Sequence, residues 1–293
     1  MRGRGIDFEH RFRTSRWAED LLVKSLGSEQ GLLTKRFGLS EIRSDTELEY
    51  GIADFKEPDL LVYEIAHLDD SQRRILEQKD LVAESRAAFR PGETLSFVTG
   101  KAAVAIEVEF SPYRAAEMAG RNWTPKTREQ WDRRPLKNAN PPIAPNIWVK
   151  QEDLGLLLRW ERVSKVPIVV LHVFDQEAFA VPLRMIADFQ RRLNKMPAET
   201  AKLQVTTGIF TKIQAYDRAD AQGAGERKPV FIVSPAASVK AGDIIGVEVA
   251  TQLGISSSKK YVSHVIFSGG KLAISPDFLE LIRRLAPQRR GRA

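Results

Sequence analysis

Three acidic residues on two apolar segments have the types and spacing to act together. Asp59 begins the segment "DLLVYE", and Glu107 and Glu109 alternate with apolar residues in "AIEVEF". Side chains at positions i and i+2 of a strand point to the same face, so the two glutamates share one face. Adjacent carboxylates repel each other, and a divalent cation between them is the usual remedy. If the two strands are neighbours, the three acids could hold one or two metal ions against a phosphate.

A second interpretation gives these acids no chemistry. A strand that alternates glutamate with apolar residues is the common amphipathic strand, with one face in solvent. A Pro-Asp pair before a strand, such as Pro58-Asp59, is ordinary turn chemistry. The surrounding elements must decide between the two interpretations.

Composition limits the kind of metal site and the kind of partner. The 293-residue chain has no cysteine, which excludes zinc ribbons, iron–sulfur clusters and thiol nucleophiles. Its four histidines are widely spaced, which argues against a metal site made of histidines. Any metal is therefore expected to have oxygen ligands, which favours Mg²⁺ or Mn²⁺. The net charge of +7 is compatible with a polyanionic partner. No apolar run approaches the ~20 residues of a membrane helix, and no secretory signal is apparent, so we expect a cytoplasmic protein without a membrane partner.

Strands and helices alternate in the middle of the chain. "DLLVYEI", "AAVAIEVEF" and "VPIVVLHVF" read as strands, and a helix is predicted over 149–164, between the second and the third. This order predicts an α/β fold with a mixed central sheet flanked by helices. Three regions are expected: an N-terminal helical segment over 1–54, a core over 55–197 that holds the acids, and a β-rich C-terminal subdomain over 198–293.

The acids and their context resemble the PD-(D/E)xK nuclease superfamily, specifically the type II restriction endonucleases. Pro58-Asp59 at a strand start, Glu107-Val108-Glu109 on the next core strand, and the following helix and strand carry the resemblance. It implies a restriction-endonuclease-like core in which Asp59 and Glu107 bind metal and are catalytic. The third family position, usually Lys, is Glu109 here, which is an E-x-E variant. Glu109 is then implied as a second-metal ligand or as the residue that positions the attacking water.

A lysine elsewhere is the alternative for the third catalytic role. On the predicted helix, Lys150 falls inside the apolar arc, so it either snorkels to solvent or points toward the acids. Glu152, at the edge of the arc, is a candidate auxiliary metal ligand. Whether Glu109 or Lys150 fills the third role stays open at this stage.

Candidate DNA contacts are basic and amide side chains, which bind phosphates and read guanine and adenine edges. One cluster follows the second acidic strand, in a segment rich in Arg, Asn and Trp. The other is the loop "SSSKK" between two C-terminal strands. The candidates are Arg114, Arg121, Lys126, Arg133, Arg134, Lys137, Asn138 and Asn140 in the first cluster, and Ser257, Ser258, Lys259 and Lys260 in the second.

The sequence therefore predicts a magnesium-dependent type II restriction endonuclease that cuts double-stranded DNA at a short site. The C-terminal subdomain is predicted to take part in DNA recognition. The resemblance also implies a homodimer, since palindromic sites match two-fold protein symmetry. A cognate DNA methyltransferase is implied as a functional companion rather than a physical partner. Two alternatives stand beside this prediction: a repair or structure-specific nuclease on the same fold, and a non-catalytic DNA-binding protein with structural acids.

Overall fold

A seven-stranded mixed sheet forms the centre of the molecule, and a second, three-stranded sheet accompanies it. The computed structural model describes residues 6–27, 30–38, 56–81, 94–111, 147–195, 210–216, 227–233, 235–255 and 261–286. The helices in these residues are α1 (Ile6–Ser25), α2 (Asp70–Gln78), α3 (Thr94–Lys101), α4 (Gln151–Ser164), α5 (Leu183–Leu193) and α6 (Pro276–Leu285). The strands are β1 (Leu32–Arg36), β2 (Leu60–Glu64), β3 (Val104–Phe110), β4 (Ile147–Lys150), β5 (Ile168–Val173), β6 (Glu177–Pro182), β7 (Phe210–Tyr216), β8 (Arg227–Val233), β9 (Val239–Ile255) and β10 (Tyr261–Ile274).

The order of strands brings the two acidic segments together. The large sheet runs β1-β2-β3-β5-β6-β9-β10, and the small sheet runs β4-β8-β7. β2 pairs antiparallel with β1 and with β3, whereas β3 and β5 are parallel. A parallel pair needs a long crossover connection, and α4 lies in that connection. The expectation of a mixed α/β sheet flanked by helices is confirmed.

Two apolar layers cover the two faces of the large sheet. On one face, Leu61, Ala105 and Val170 belong to a buried cluster with residues of α4 and α5. On the other face, Leu60, Ile106 and Val108 belong to a cluster with residues of α1 and α6. Alternation along β3 therefore places Glu107 and Glu109 on the face of Ala105, which is the face that α4 covers.

The helix predicted over 149–164 begins two residues later, at Gln151, and Lys150 ends a strand instead. Ile147 and Val149 are buried while Trp148 and Lys150 are exposed, which is the alternation of a half-buried strand. The partner of this strand is β8, far along the chain, and it supplies the hydrogen bonds that hold Ile147–Lys150 extended. A short segment with a distant partner carries too weak a local signal to be distinguished from the start of a helix.

The terminal regions join the central sheets. The N-terminal region contributes β1 as well as α1, and α1 is fastened to β10 where the Trp17 indole donates to the Gly269 carbonyl at 2.9 Å. In the C-terminal region, β9 extends the large sheet beside β6, and β8 pairs with β4. Strands from both sides of the predicted boundary at 197/198 thus share sheets, and the division into three regions stays a prediction. Among the described residues, no helix is both long and apolar enough to cross a membrane.

Candidate active site

Asp59 lies against the edge of the strand that carries the two glutamates. Its Oδ2 accepts a hydrogen bond from the backbone N–H of Val108 at 2.7 Å. Because Val108 stands between Glu107 and Glu109 in the chain, this bond holds the Asp59 carboxylate at the edge of the segment that carries both, and it is close enough to Glu107 to interact with it electrostatically. The main chain fixes the segment as well, since the Phe37 N–H donates to the Asp59 carbonyl at 2.8 Å.

A glycine makes room for the segment that leads into Asp59. A Cβ atom on Gly38 would lie 2.6 Å from the Pro58 carbonyl oxygen and 2.9 Å from that of Glu57. Those contacts are shorter than van der Waals separations and involve backbone, which yields less readily than a flexible side chain. Gly38 therefore permits the close approach that sets the position of Asp59.

Lys56 brings a positive charge into the acidic cluster. Its Nζ lies 2.6 Å from Glu107 Oε1 and 3.1 Å from Asp153 Oδ2, in the first turn of α4. The Lys56 side chain is 27% exposed, while that of Glu107 is only 5% exposed. One ammonium thus bridges the central glutamate of β3 and an acid from α4.

The pKa values of the acids are raised because the cluster is shielded from water and crowded with like charge. Burial raises the pKa of Asp59 well above its usual range, and the neighbouring Glu107 and Glu19 add to this. Burial also raises the pKa of Glu107, although the Lys56 ammonium opposes the shift. The pKa of Glu109 is raised to about 7, chiefly by burial of its carboxylate. Burial thus disfavours the ionised carboxylates, and a cation bound among them would oppose these shifts by favouring the ionised forms.

The pKa of Lys56 is raised as well, but by attraction to the acids and against the effect of burial. Burial alone would lower the pKa of its ammonium, but attraction to Glu107, Asp153, Glu109 and Asp59 raises the pKa well above its ordinary value. Lys56 is therefore held in its charged form across the physiological range.

Glu19 of α1 is a fifth acid, and it interacts electrostatically with Asp59 and Glu107. It is 4% exposed, and its Oε2 lies 3.3 Å from Arg36 Nε. Burial raises the pKa of Glu19, while Arg36 opposes that shift. Arg36 ends β1, so this ion pair joins α1 to the edge of the large sheet beside the acids.

The two further residues expected from the sequence lie at the start of α4. Lys150 is the exposed N-cap residue, and it acts on Glu109 electrostatically by lowering that residue's pKa. Glu152 is exposed in the first turn of α4. Its neighbour Asp153 contacts the cluster through Lys56, and the role predicted for Glu152 stays a prediction.

Sequence analysis missed Lys56, Asp153 and Glu19. Lys56 stands three residues before Asp59, and this proximity was the available signal. The predicted alternative, Lys150, lies downstream of Glu109, whereas Lys56 lies upstream of Asp59. Glu19 and Asp153 carry no local signal, because their proximity to the acids depends on how α1 and α4 pack on the sheet.

The donor set fits a hard divalent cation, although Lys56 shares the space. Among the described residues, no group of three or more His, Asp or Glu side chains is already arranged to hold a metal ion. The Lys56 ammonium lies between Glu107 and Asp153, where a metal ion would compete with it. Glu107 Oε2, however, is buried and lacks a hydrogen-bond partner in the described part of the chain. A buried carboxylate oxygen without a donor, among other carboxylates, is suited to Mg²⁺ or Mn²⁺.

The residues predicted to contact DNA lie within 112–146 and 256–260, which are outside the described residues. They stay predictions. Comparisons with known protein families, with curated proteins and with solved structures found no match for this chain. The class of the site, a carboxylate cluster with a lysine at a sheet end, is thus defined by its own geometry.

Proposed function

We propose that the protein is a magnesium-dependent endonuclease that hydrolyses phosphodiester bonds of double-stranded DNA, as type II restriction enzymes do. The observation that carries this proposal is the hydrogen bond from the Val108 N–H to Asp59, between Glu107 and Glu109. It supports convergence of the three acids at one point. An isolated amphipathic strand would have left Glu107 and Glu109 in solvent, whereas Glu107 is 3% exposed.

The order of elements supports the same proposal. β2, β3, α4 and β5 occur in this order along the chain, with α2 and α3 between β2 and β3 and with β4 before α4, and β3 and β5 are parallel. This is the strand, strand, helix, strand context that the resemblance to PD-(D/E)xK nucleases requires. The acids lie on β3 and just before β2, at the positions of that pattern.

Each residue of the cluster has a chemical role in this proposal. Asp59 and Glu107 would hold the metal ion. Asp153 contacts Lys56 and so helps to position the ammonium beside Glu107. A bound Mg²⁺ supplies Lewis-acid catalysis by polarising the phosphoryl group. Glu109, with a pKa of about 7, can accept a proton from the attacking water at its carboxylate. Lys56 keeps its charge, so its Nζ can donate hydrogen bonds to a phosphate oxygen and stabilise negative charge there.

Lys56 thereby becomes a third candidate for the family's lysine role, beside Glu109 and Lys150. It contacts Glu107 directly, whereas Lys150 is exposed and acts on Glu109 only through space. The direct contact favours Lys56 over Lys150. A homodimer and a cognate methyltransferase belong to the same proposal, since restriction enzymes of this class act on two-fold symmetric sites in hosts that protect their own DNA.

Plasmid cleavage with Mg²⁺ tests the proposal. Discrete fragments on a gel would support a restriction endonuclease, whereas nicking at junctions or smearing would indicate a repair or structure-specific nuclease. A mobility shift without any cleavage would refute catalysis and leave a DNA-binding protein. Glu107→Gln should abolish cleavage and retain salt-sensitive DNA binding. The matched control is Glu64→Gln at the opposite end of β2, which should cut like the wild type.

A further inference from the structure

We propose that the outward faces of α4 and α5 form one basic surface that binds the phosphodiester backbone of nucleic acid flanking the cleavage point. This inference rests on the proposed function for its partner. It concerns a different part of the molecule, because none of its residues belongs to the acidic cluster.

Exposed cations outnumber exposed carboxylates on these two helices. Between residues 151 and 195, all of which the structure describes, the exposed carboxylates are Glu152 and Asp188, and Asp188 pairs with Arg191. The acids Glu161, Asp175 and Glu177 in this range are buried. Exposed cations come from the second half of α4 and its C-cap, and from α5 and the residues after it. They include Arg159, Arg162, Lys165, Arg191, Arg192 and Lys195.

The two helices present these cations on a single surface. α4 and α5 contribute Leu157, Trp160, Ile186 and Phe189 to the same buried cluster, so both cover the same face of the large sheet. An ion pair joins them directly, because Arg184 Nε of α5 lies 2.9 Å from Glu161 Oε1 of α4. Their outward faces are therefore continuous.

The exposed helices α2 and α6 show no such excess. On α6, exposed Arg283 and Arg284 are balanced by exposed Asp277 and Glu280. On α2, Arg73 pairs with Glu77 at 2.8 Å, and Asp70 lies in the first turn. The α4–α5 surface thus carries a larger excess of positive charge than α2 or α6, and a surface of this charge is complementary to a polyanion.

The surface begins within reach of the candidate active site. Asp153, which contacts Lys56, and Arg162 are nine residues apart on α4. At 1.5 Å per residue the helix carries the surface about 14 Å from the cluster. This length corresponds to about four steps of 3.4 Å along one DNA strand. A DNA backbone bound there would be fixed to one side of the scissile phosphate. The surface would therefore position DNA without taking part in the chemistry.

Charge neutralisation with a matched control tests the surface. Arg162→Gln/Arg192→Gln removes two exposed cations from the α4–α5 surface. Arg283→Gln/Arg284→Gln removes the same charge from the last turn of α6. Both double variants are made in a Glu107→Gln background, and binding to a duplex of about 30 base pairs is measured against salt concentration. The first variant should bind about ten-fold more weakly at ~100 mM salt and lower the salt slope by about two, at ~0.9 per phosphate contact.

The outcomes separate this inference from the proposed function. If the α4–α5 variant and the α6 variant bind equally, the effect is one of net charge and the surface assignment is overturned. If wild type cuts DNA and the α4–α5 variant keeps the affinity of its Glu107→Gln parent, the surface assignment is overturned while the proposed nuclease activity stands. If wild type does not cut but the α4–α5 variant alone loses binding, the surface is supported and the nuclease falls.

Discussion

Lys56→Met removes the one cation found between Glu107 and Asp153. Methionine keeps most of the length and apolar stem of the lysine but cannot pair with either acid. The variant leaves Glu107 at 5% side-chain exposure without the ammonium that now lies 2.6 Å from it. Both the stability of the metal-free protein and its cleavage chemistry should therefore respond.

The size of the stability effect follows from the exposure of the partners. Breaking a fully buried ion pair costs about 3–5 kcal/mol, while an exposed pair contributes about 0–1 kcal/mol. Glu107 is buried, but Lys56 and Asp153 are 27% and 20% exposed. We therefore expect the metal-free variant to lose about 2–3 kcal/mol of unfolding free energy at neutral pH, since water at Lys56 and Asp153 relieves part of the penalty. The melting temperature should fall by about 5–10 °C.

Metal should reverse the stability loss. In the variant Mg²⁺ no longer competes with an ammonium, so it should bind more tightly than to wild type. At a concentration about 100-fold above its dissociation constant it should restore about 2–3 kcal/mol. Thermal melts in EDTA and in Mg²⁺ give this comparison directly, and plasmid cleavage by the same preparations should slow by about 100-fold or more.

Lys150→Met is the matched control, because Lys150 is exposed and acts on Glu109 only through space. Its effect on cleavage should stay within about three-fold, since solvent and salt screen an exposed charge. Two results would refute the reasoning. One is a Lys56→Met protein that melts like wild type in EDTA and cuts at the wild-type rate. The other is a larger loss of cleavage from Lys150→Met than from Lys56→Met.

Three other perturbations test the site and its support. Asp59→Asn removes a carboxyl group whose pKa is raised by burial and by neighbouring acids. Thermal melts in EDTA should therefore show equal or higher stability of the variant, while plasmid assays show no cleavage. Gly38→Ala should push the Pro58 carbonyl away and slow cleavage by up to about 100-fold through misplacement of Asp59. The matched control is Gly155→Ala on α4, where an added Cβ meets no atom within 4 Å, and it should raise the free energy of unfolding by about 1 kcal/mol. A Gly38→Ala enzyme with full activity would contradict the close approach. Burial lowers the pKa of His172 to about 3, below its ordinary 6.5, so only the unfolded chain binds the proton between these values and stability falls as pH falls through that window. His172→Gln should flatten this acid-side loss by up to about 1 kcal/mol per pH unit in denaturant titrations, and an unchanged pH profile would show that His172 does not titrate on unfolding.

Much of the central sheet could be predicted from the sequence because its strands are strongly marked. Val, Ile and Leu fill β2, β3 and β5, and these strands appear where the apolar runs predicted them. The shared face of Glu107 and Glu109 follows from the two-residue period of a strand, which needs no knowledge of the fold. The start of α6 also has a local signal, because the Ser275 side chain caps the helix by accepting from the Phe278 N–H at 3.1 Å.

The short strand β4 could not be predicted in the same way. Ile147–Lys150 is held extended by hydrogen bonds to β8, and the sequence around it contains no signal that predicts this pairing. The segment therefore looked like the first turn of α4, and Lys150 was placed on a helix that it only caps.

The amino-acid sequence by itself determined which acids stand on which strand face, because that depends only on local alternation. Tertiary structure decided which other charges meet them. Lys56 reaches Glu107 because Gly38 lets the segment before β2 pack closely, and Asp153 and Glu19 arrive from helices that pack on opposite faces of the sheet. Contacts between elements distant in the chain depend on packing that no local pattern encodes, and the pairing of Lys56 with Glu107 and Asp153 was for that reason found only in the fold.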